Sequence, residues 1–196
     1  LEAIPNKYNS IIFLDIDGVL NSQLFYEEQF KHLQRFDSIP LYRVVKKQLK
    51  KLVKKKEISR MEYYKSQICG KRISWLNTLC EETNSGIVLS ASMRGGKTVK
   101  QLQEIFNYCG ATFTIIDKTG HSESRIRGVE IHKWLQDNCM CWFGVNHYDF
   151  YRYAIIDDDS DMLLNQQNHF FHCDNYSGLT PNTCYKIKRF FTHKTF

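Results

Sequence analysis

No apolar run in the chain approaches the roughly 18 to 20 residues that a membrane-spanning helix needs. The N-terminus lacks the basic-then-apolar layout of a signal peptide, so a soluble cytoplasmic protein is expected. A disulfide framework is missing too, since seven cysteines, odd in number and scattered from Cys69 to Cys184, fit reduced thiols better. Cys139 and Cys141 with His147 do not make a zinc ligand set of suitable spacing. Arg94-Gly95-Gly96-Lys97-Thr98 lacks the first glycine of a phosphate-cradling P-loop. Internal repeats are not apparent. The start at Leu1 suggests either an engineered start or a fragment.

What is present is an ordinary globular composition with unevenly placed charge. Hydrophobic residues make up 42% and charged residues 24%, which excludes a collagenous, low-complexity or wholly disordered chain. A length of 196 residues suits one compact unit with room for a subdomain insertion. Of the net charge of +6, the stretch from Arg43 to Arg60 supplies +8, nine cations against Glu57 alone, so the remainder is slightly acidic. Leu41, Val45, Leu49 and Leu52 recur there at helical spacing with lysines opposite, the pattern of an amphipathic helix with a cationic face. Such a face is either simply solvated or a platform for a polyanion, nucleic acid or acidic lipid headgroups, although no aromatic alternates with the lysines to suggest base stacking.

Along the chain, short apolar, β-branched runs alternate with helical patterns. Strands are expected at 10–14, 87–90, 111–116, 153–156 and 170–173, and helices at 73–83, 99–108, 129–136 and 181–190. A mostly helical stretch, 24–71, interrupts this alternation and is broken by Asp37-Ser38-Ile39-Pro40. Strands alternating with helices imply an α/β fold, a parallel sheet of about five strands with helices on both faces, because parallel neighbours need crossover connections. The expected division is 1–20 and 72–196 as the core and 21–71 as a helical, lysine-rich insertion. Ligands in such sheets bind beyond the carboxyl ends of the strands.

Three strand ends there are polar: Asp15 and Asp17, then Ser90, then Asp157 and Asp158. A single strand-end aspartate reads as a turn or helix cap. Four carboxylates gathered in a small volume repel one another and are tolerated only if some are protonated or a divalent cation neutralises them. Oxygen ligands of this kind suit Mg²⁺.

Phe13-Leu14-Asp15-Ile16-Asp17-Gly18-Val19-Leu20 resembles the opening motif of the haloacid dehalogenase (HAD) superfamily, most of whose members are Mg²⁺-dependent phosphohydrolases acting through an aspartyl-phosphate. The resemblance implies a Rossmann-like core with a cap insertion. It also implies that Asp15 is the nucleophile and a metal ligand, and that Asp17 is the general acid/base, ligating Mg²⁺ through its backbone carbonyl. Gly18 would let the backbone turn beneath the phosphate. Ile87-Val88-Leu89-Ser90 resembles the second motif, with Ser90 bonding phosphoryl oxygens. Tyr153-Ala154-Ile155-Ile156-Asp157-Asp158 resembles the acidic fourth motif, with Asp158 the favoured ligand, Asp157 supporting it and Asp161 behind them. Ser90-Ala91-Ser92-Met93-Arg94, Arg127-Gly128-Val129-Glu130-Ile131-His132-Lys133-Trp134-Leu135 and Asp174-Asn175-Tyr176-Ser177-Gly178-Leu179-Thr180 are similar to segments of the HAD domains of RNA repair proteins. On that resemblance Arg94 contacts a substrate phosphate, and the third-motif cation that steadies nucleophile and phosphate is Arg127, with Lys118 the alternative.

These residues imply a Mg²⁺-dependent phosphomonoester phosphatase. Its expected substrate is a nucleic-acid or nucleotide terminal phosphate, held through the helix between Lys46 and Lys56, with Lys47, Lys51 and Lys55 on one face. The competing readings are a phosphatase of phosphoproteins or small metabolites, and a non-catalytic domain that binds polyanions or a partner.

Overall fold

The structure is a computed structural model and describes residues 8–31, 40–143 and 152–193. Five strands form one parallel sheet in the order β3-β2-β1-β4-β5: β1 (Ser10–Leu14), β2 (Ser85–Leu89), β3 (Ile115–Lys118), β4 (Tyr153–Asp157) and β5 (Phe170–His172). The three central strands are buried throughout, which is why their sequences are continuous apolar runs rather than alternating ones. Their side chains divide by parity. Ile12, Leu14, Ile87, Leu89, Ala154 and Ile156 pack under α4 (Gly70–Thr83), α5 (Val99–Tyr108) and α7 (Pro181–His193). Ile11, Phe13, Val88 and Ile155 face α6 (Arg127–Phe143) through Ile131, Trp134 and Leu135. Phe13 meets Trp134 edge to face at 5.3 Å between ring centres, and the Trp134 indole donates to Asp117 at 2.6 Å, satisfying the one polar atom this packing would bury. Among the described residues no helix is long and apolar enough to cross a membrane.

The chain runs β1-β2-β3 to one side and then returns to place β4 on the other side of β1. A switch point therefore lies between β1 and β4, where a crevice opens beyond the strand ends. Register places the chemistry there. Leu14 pairs with Leu89 and with Ile156, so one residue further on Ser90, Asp15 and Asp157 stand in a row. The Ser90 and Asp15 amides donate to Leu14 O and Ile156 O, each at 3.0 Å.

Two expectations need correction. The third strand begins at Ile115, not 111. The Gln103 side chain takes the Ile115 amide and donates to Phe113 O, so a helix side chain shares the approach with β2, whose Ile87 amide donates to Thr114 O, and the ladder is irregular at Ile87 and Val88. The helix expected at 73–83 begins at Gly70, so it takes up the end of the stretch 24–71, whose other described helices are α1 (Gln23–Phe30), α2 (Leu41–Lys54) and α3 (Arg60–Lys65). The expected break at Asp37-Ser38-Ile39 lies outside the described residues, as do His147 and the side chains of Cys139 and Cys141. These three helices include a small apolar cluster of their own, Phe25, Tyr26, Leu41 and Val45. The five cysteines with described side chains are free thiols.

The loop after β1 is buttressed from outside. Leu179 N donates to Val19 O, and the Arg72 guanidinium ties Leu20 O, Ser22 Oγ and Ser177 O together. Gly178 sits at φ +67°, and a Cβ on it would stand 2.6 Å from Val19 O. A left-handed conformation combined with a backbone clash leaves no room for a side chain. Gly178→Ala is therefore expected to destabilise the protein by about 2–3 kcal/mol, lowering the melting temperature by roughly 5–10 °C. Thermal unfolding monitored by circular dichroism checks this, and an unchanged melting temperature would mean that the buttress does not support the loop.

Candidate active site

Arg127 organises the crevice. Its Nη2 donates to Asp15 Oδ1 at 2.9 Å and its Nε to Asp157 Oδ2 at 3.1 Å. The third nitrogen of the guanidinium, Nη1, lies 3.6 Å from Glu130. Arg127 opens α6, and the Asp161 carboxylate receives its backbone amide at 2.8 Å, so a cap at the helix start fixes where the guanidinium emerges. One carboxylate oxygen each from Asp15, Asp157 and Asp158 lies within 4.8 Å of the others, a spacing that a hard divalent cation can bridge. Burial, and then the neighbouring Asp157 charge, hold the Asp15 carboxyl well above its ordinary range, with Arg127 opposing. Burial also pushes Asp157 up to about 6 against the pull of Arg127. Burial and the adjacent Asp159 push Asp158 up to about 6. A bound cation would relieve all three, so the donor set fits a Mg²⁺-type ion.

Asp17 lies on the open side. Its exposed carboxylate accepts from Asn21 Nδ2 at 2.8 Å and from Lys46 Nζ at 2.7 Å. Burial of part of the group would raise its pKa, but those two hydrogen bonds prevail and hold Asp17 below the usual carboxylate range. The Gly18 amide donates to Asn21 Oδ1, closing the turn. Gly18 has φ +77°, and a Cβ there would overlap the Asp158 carboxylate at 2.1 Å. Its lack of a side chain thus makes room for a carboxylate as well as for a turn. A cavity of about 340 Å³ opens here, lined by Asp15, Asp17, Asn21, Lys46, Arg127 and Asp158 among others.

Two expected phosphate contacts are placed elsewhere. Arg94 is buried, with its donors taken by Ser90 O, Ala91 O, Thr119 O, Gly120 O and the buried Glu130 carboxylate. It fixes the turn after β2 to the loop after β3 and has no free donor to offer a substrate. Lys118 donates its ammonium to Lys97 O and Arg94 O and does not line the cavity at Asp15. Ser90 is fully buried beside Asp15 in the strand row, and its Oγ has no hydrogen-bond partner, so an unmet polar atom stands next to Asp15. Lys47, Lys51 and Lys55 are exposed and do not line the cavity. Lys55 lies just past the end of α2, paired with Glu57 at 3.6 Å.

Sequence reasoning missed Asn21, Gln23, Tyr26, Tyr42, Lys46, Ser92, Asp159 and Asn175 as residues of the cavity wall. Asn21 carried a signal, being a polar residue beside the Ser22 helix cap directly after a buried turn. Lys46 carried none that distinguished it from the other lysines of α2.

The raised carboxyls set a pH dependence. Between about pH 4 and 6 the folded protein binds protons at Asp157 and Asp158 that the unfolded chain has already released, so stability falls as pH rises through that window. In chelator, melting temperatures measured between pH 4 and 7 should decline, and the decline should be smaller in Asp158→Asn. Equal slopes in the two proteins would mean that Asp158 is not a strained acid.

No curated protein and no solved structure matches the chain. HAD domains generally use Mg²⁺, in keeping with the acidic cluster. The row of Ser90, Asp15 and Asp157, with Arg127 across it, lies within the matched span, and by that match over residues 11–184 the chain belongs to the family described as the HAD domain in Swiss Army Knife RNA repair proteins.

Proposed function

We propose that this chain is a Mg²⁺-dependent phosphomonoester hydrolase that works through an aspartyl-phosphate on Asp15, acting on a terminal phosphate of a nucleic acid or nucleotide. Family membership supports a HAD-type phosphatase or a related hydrolase. The observation that carries the finer reading is Asp15 itself: a carboxylate at the end of the central strand, oriented by Arg127, with two further carboxylates within ligand distance.

In this reading an Asp15 oxygen attacks phosphorus, the bond to the leaving oxygen breaks, and that oxygen is protonated by Asp17, which Lys46 and Asn21 hold ionised in the free protein and which therefore takes up a proton from solvent as the substrate binds. Water then attacks the phosphorus of the acyl phosphate, with Asp17 taking its proton, which frees Asp15 and releases phosphate. Asp15, Asp158, Asp157 and the Asp17 carbonyl would hold Mg²⁺, which when bound neutralises the carboxylates and the phosphoryl oxygens. Arg127 favours the ionised form of Asp15 against its burial and points the group, since its bond to Oδ1 leaves the second oxygen free. The Ser90 hydroxyl, otherwise unpaired, is suited to donate to a phosphoryl oxygen.

Asp15→Asn is expected to lower Mg²⁺-dependent turnover at least about 1,000-fold while melting like the wild type, because an amide keeps the shape and loses the nucleophile. A screen over oligonucleotide ends, nucleotides, phosphopeptides and sugar phosphates measures it. Near-normal hydrolysis by folded Asp15→Asn protein, or full activity in excess chelator, would sink the mechanism. A preference for phosphopeptides or sugar phosphates would replace the substrate alone.

The exposed cations of α2 give a second outcome. Reversing the charge of Lys47, Lys51 and Lys55 should weaken turnover of an oligonucleotide steeply at low salt, and leave a small aryl phosphate within about two-fold, since none of the three reaches the cavity. No loss on either substrate would make this face a solvated surface.

A further inference from the structure

The phosphatase reading leaves one requirement unmet. A phosphate dianion entering the cavity meets the carboxylates of Asp15, Asp17, Asp158 and Asp159, and the two cations on the wall are Arg127 and Lys46. Arg127 is engaged on both sides, by Asp15 and Asp157, with Glu130 behind it. The core cations expected to face the phosphate are committed to backbone carbonyls and, for Arg94, to Glu130. Steadying the nucleophile and receiving the phosphate are therefore two tasks, and Arg127 performs the first.

Lys46 is placed for the second. Among the described residues it pairs with a single carboxylate, Asp17, at 2.7 Å, and its side chain is 28% exposed. An ammonium has three N–H donors, so the Asp17 bond leaves two. The group is held above the Tyr42 ring, 5.7 Å from its centre, which restricts where it can swing. Its height is set by the insertion's own packing: Leu41 and Val45 are buried with Phe25 and Tyr26, and Tyr26 donates its hydroxyl to Gln67 at 3.0 Å. One residue beyond Val45, Lys46 lies about 100° round the helix, at the edge of the buried face, while Lys47 and Lys51 lie further round in solvent.

We propose that Lys46 is the phosphate-binding cation of this site: it bridges the Asp17 carboxylate and an oxygen of the substrate's phosphoryl group, so that the helical insertion supplies a residue without which the core pocket is incomplete. This rests on the phosphatase reading. It assigns α2 two separate functions, since Lys46 serves any phosphomonoester whereas the exposed lysines can matter only to a polymer.

The test uses the full chain with Mg²⁺, inorganic phosphate as ligand in titration calorimetry, and a nitrophenyl phosphate as substrate. Lys46→Met should raise the dissociation constant of phosphate by about 10- to 100-fold, the range for a lost hydrogen bond to a charged group, with kcat/KM for the small ester falling in parallel. Lys46→Gln, which keeps an N–H for Asp17 but no charge, should bind phosphate as weakly, and Lys46→Arg should restore most of the affinity. A general structural role would instead lower the melting temperature and would not be rescued by charge. If Lys46→Met and Lys46→Gln bind phosphate within two-fold of a wild type that turns over the ester, the assignment of Lys46 is overturned and the phosphatase reading stands. If the wild type neither binds phosphate nor hydrolyses any ester, both fall together.

Discussion

Carboxylate repulsion at the junction of β1 and β4 is the constraint on which the rest of the site depends. Parallel register places Asp15 beside Asp157 whatever their charges prefer, because Leu14 and Ile156 pair one residue earlier. A single guanidinium spans both acids, and its own position comes from the start of α6, which Asp161 caps and the sheet face of Phe13 and Ile155 holds down. Removing Arg127 would leave two buried carboxylates uncompensated, the costly half of a buried ion pair. The segment from Arg127 to Leu135 therefore acts as one device. Arg127 serves the site, Glu130 anchors Arg94, and Ile131, Trp134 and Leu135 provide the apolar grip.

Around this centre the loops are braced rather than free. The turn after β2 is held to the loop after β3 by Arg94, and the turn after β1 is held by Arg72, Gly178 and the segment 174–179. The same segment reaches the insertion, since the Gln23 and Leu24 amides donate to Asn175 O and Tyr176 O. Fixed donors and acceptors at strand ends suit phosphoryl chemistry, in which catalysis depends mostly on position and charge.

Lys46 alters how the basic helix is understood. Its net charge suggests a surface for polyanions, but the helix also carries a cation to the acid at the opening motif. On the proposed reading, recognition of a polymer and completion of the pocket rest on adjacent residues, Lys47 exposed and Lys46 turned to Asp17.

The sequence by itself determined the alternation of strands and helices, the bounds of β1, and the row of acids. Central strands of a parallel sheet must be continuous apolar runs, and polar residues at their ends stand out against them, so β1 was legible to the residue and β4 nearly so. Helix α5 forms over the residues expected, 99–108, and the structure adds a reciprocal cap of Thr98 and Gln101 at its start. Tertiary structure alone decided which cation meets which anion. Arg94 and Arg127 carry the same chemical signal, yet one is consumed by Glu130, 36 positions away, and the other spans Asp15 and Asp157. Lys46 and Lys47 differ by one step of helix phase, and the burial of Leu41 and Val45 in a cluster with Phe25 and Tyr26 fixes that phase. Local pattern encodes burial because burial follows element periodicity, whereas ion pairing between distant segments depends on where the folded elements come to lie.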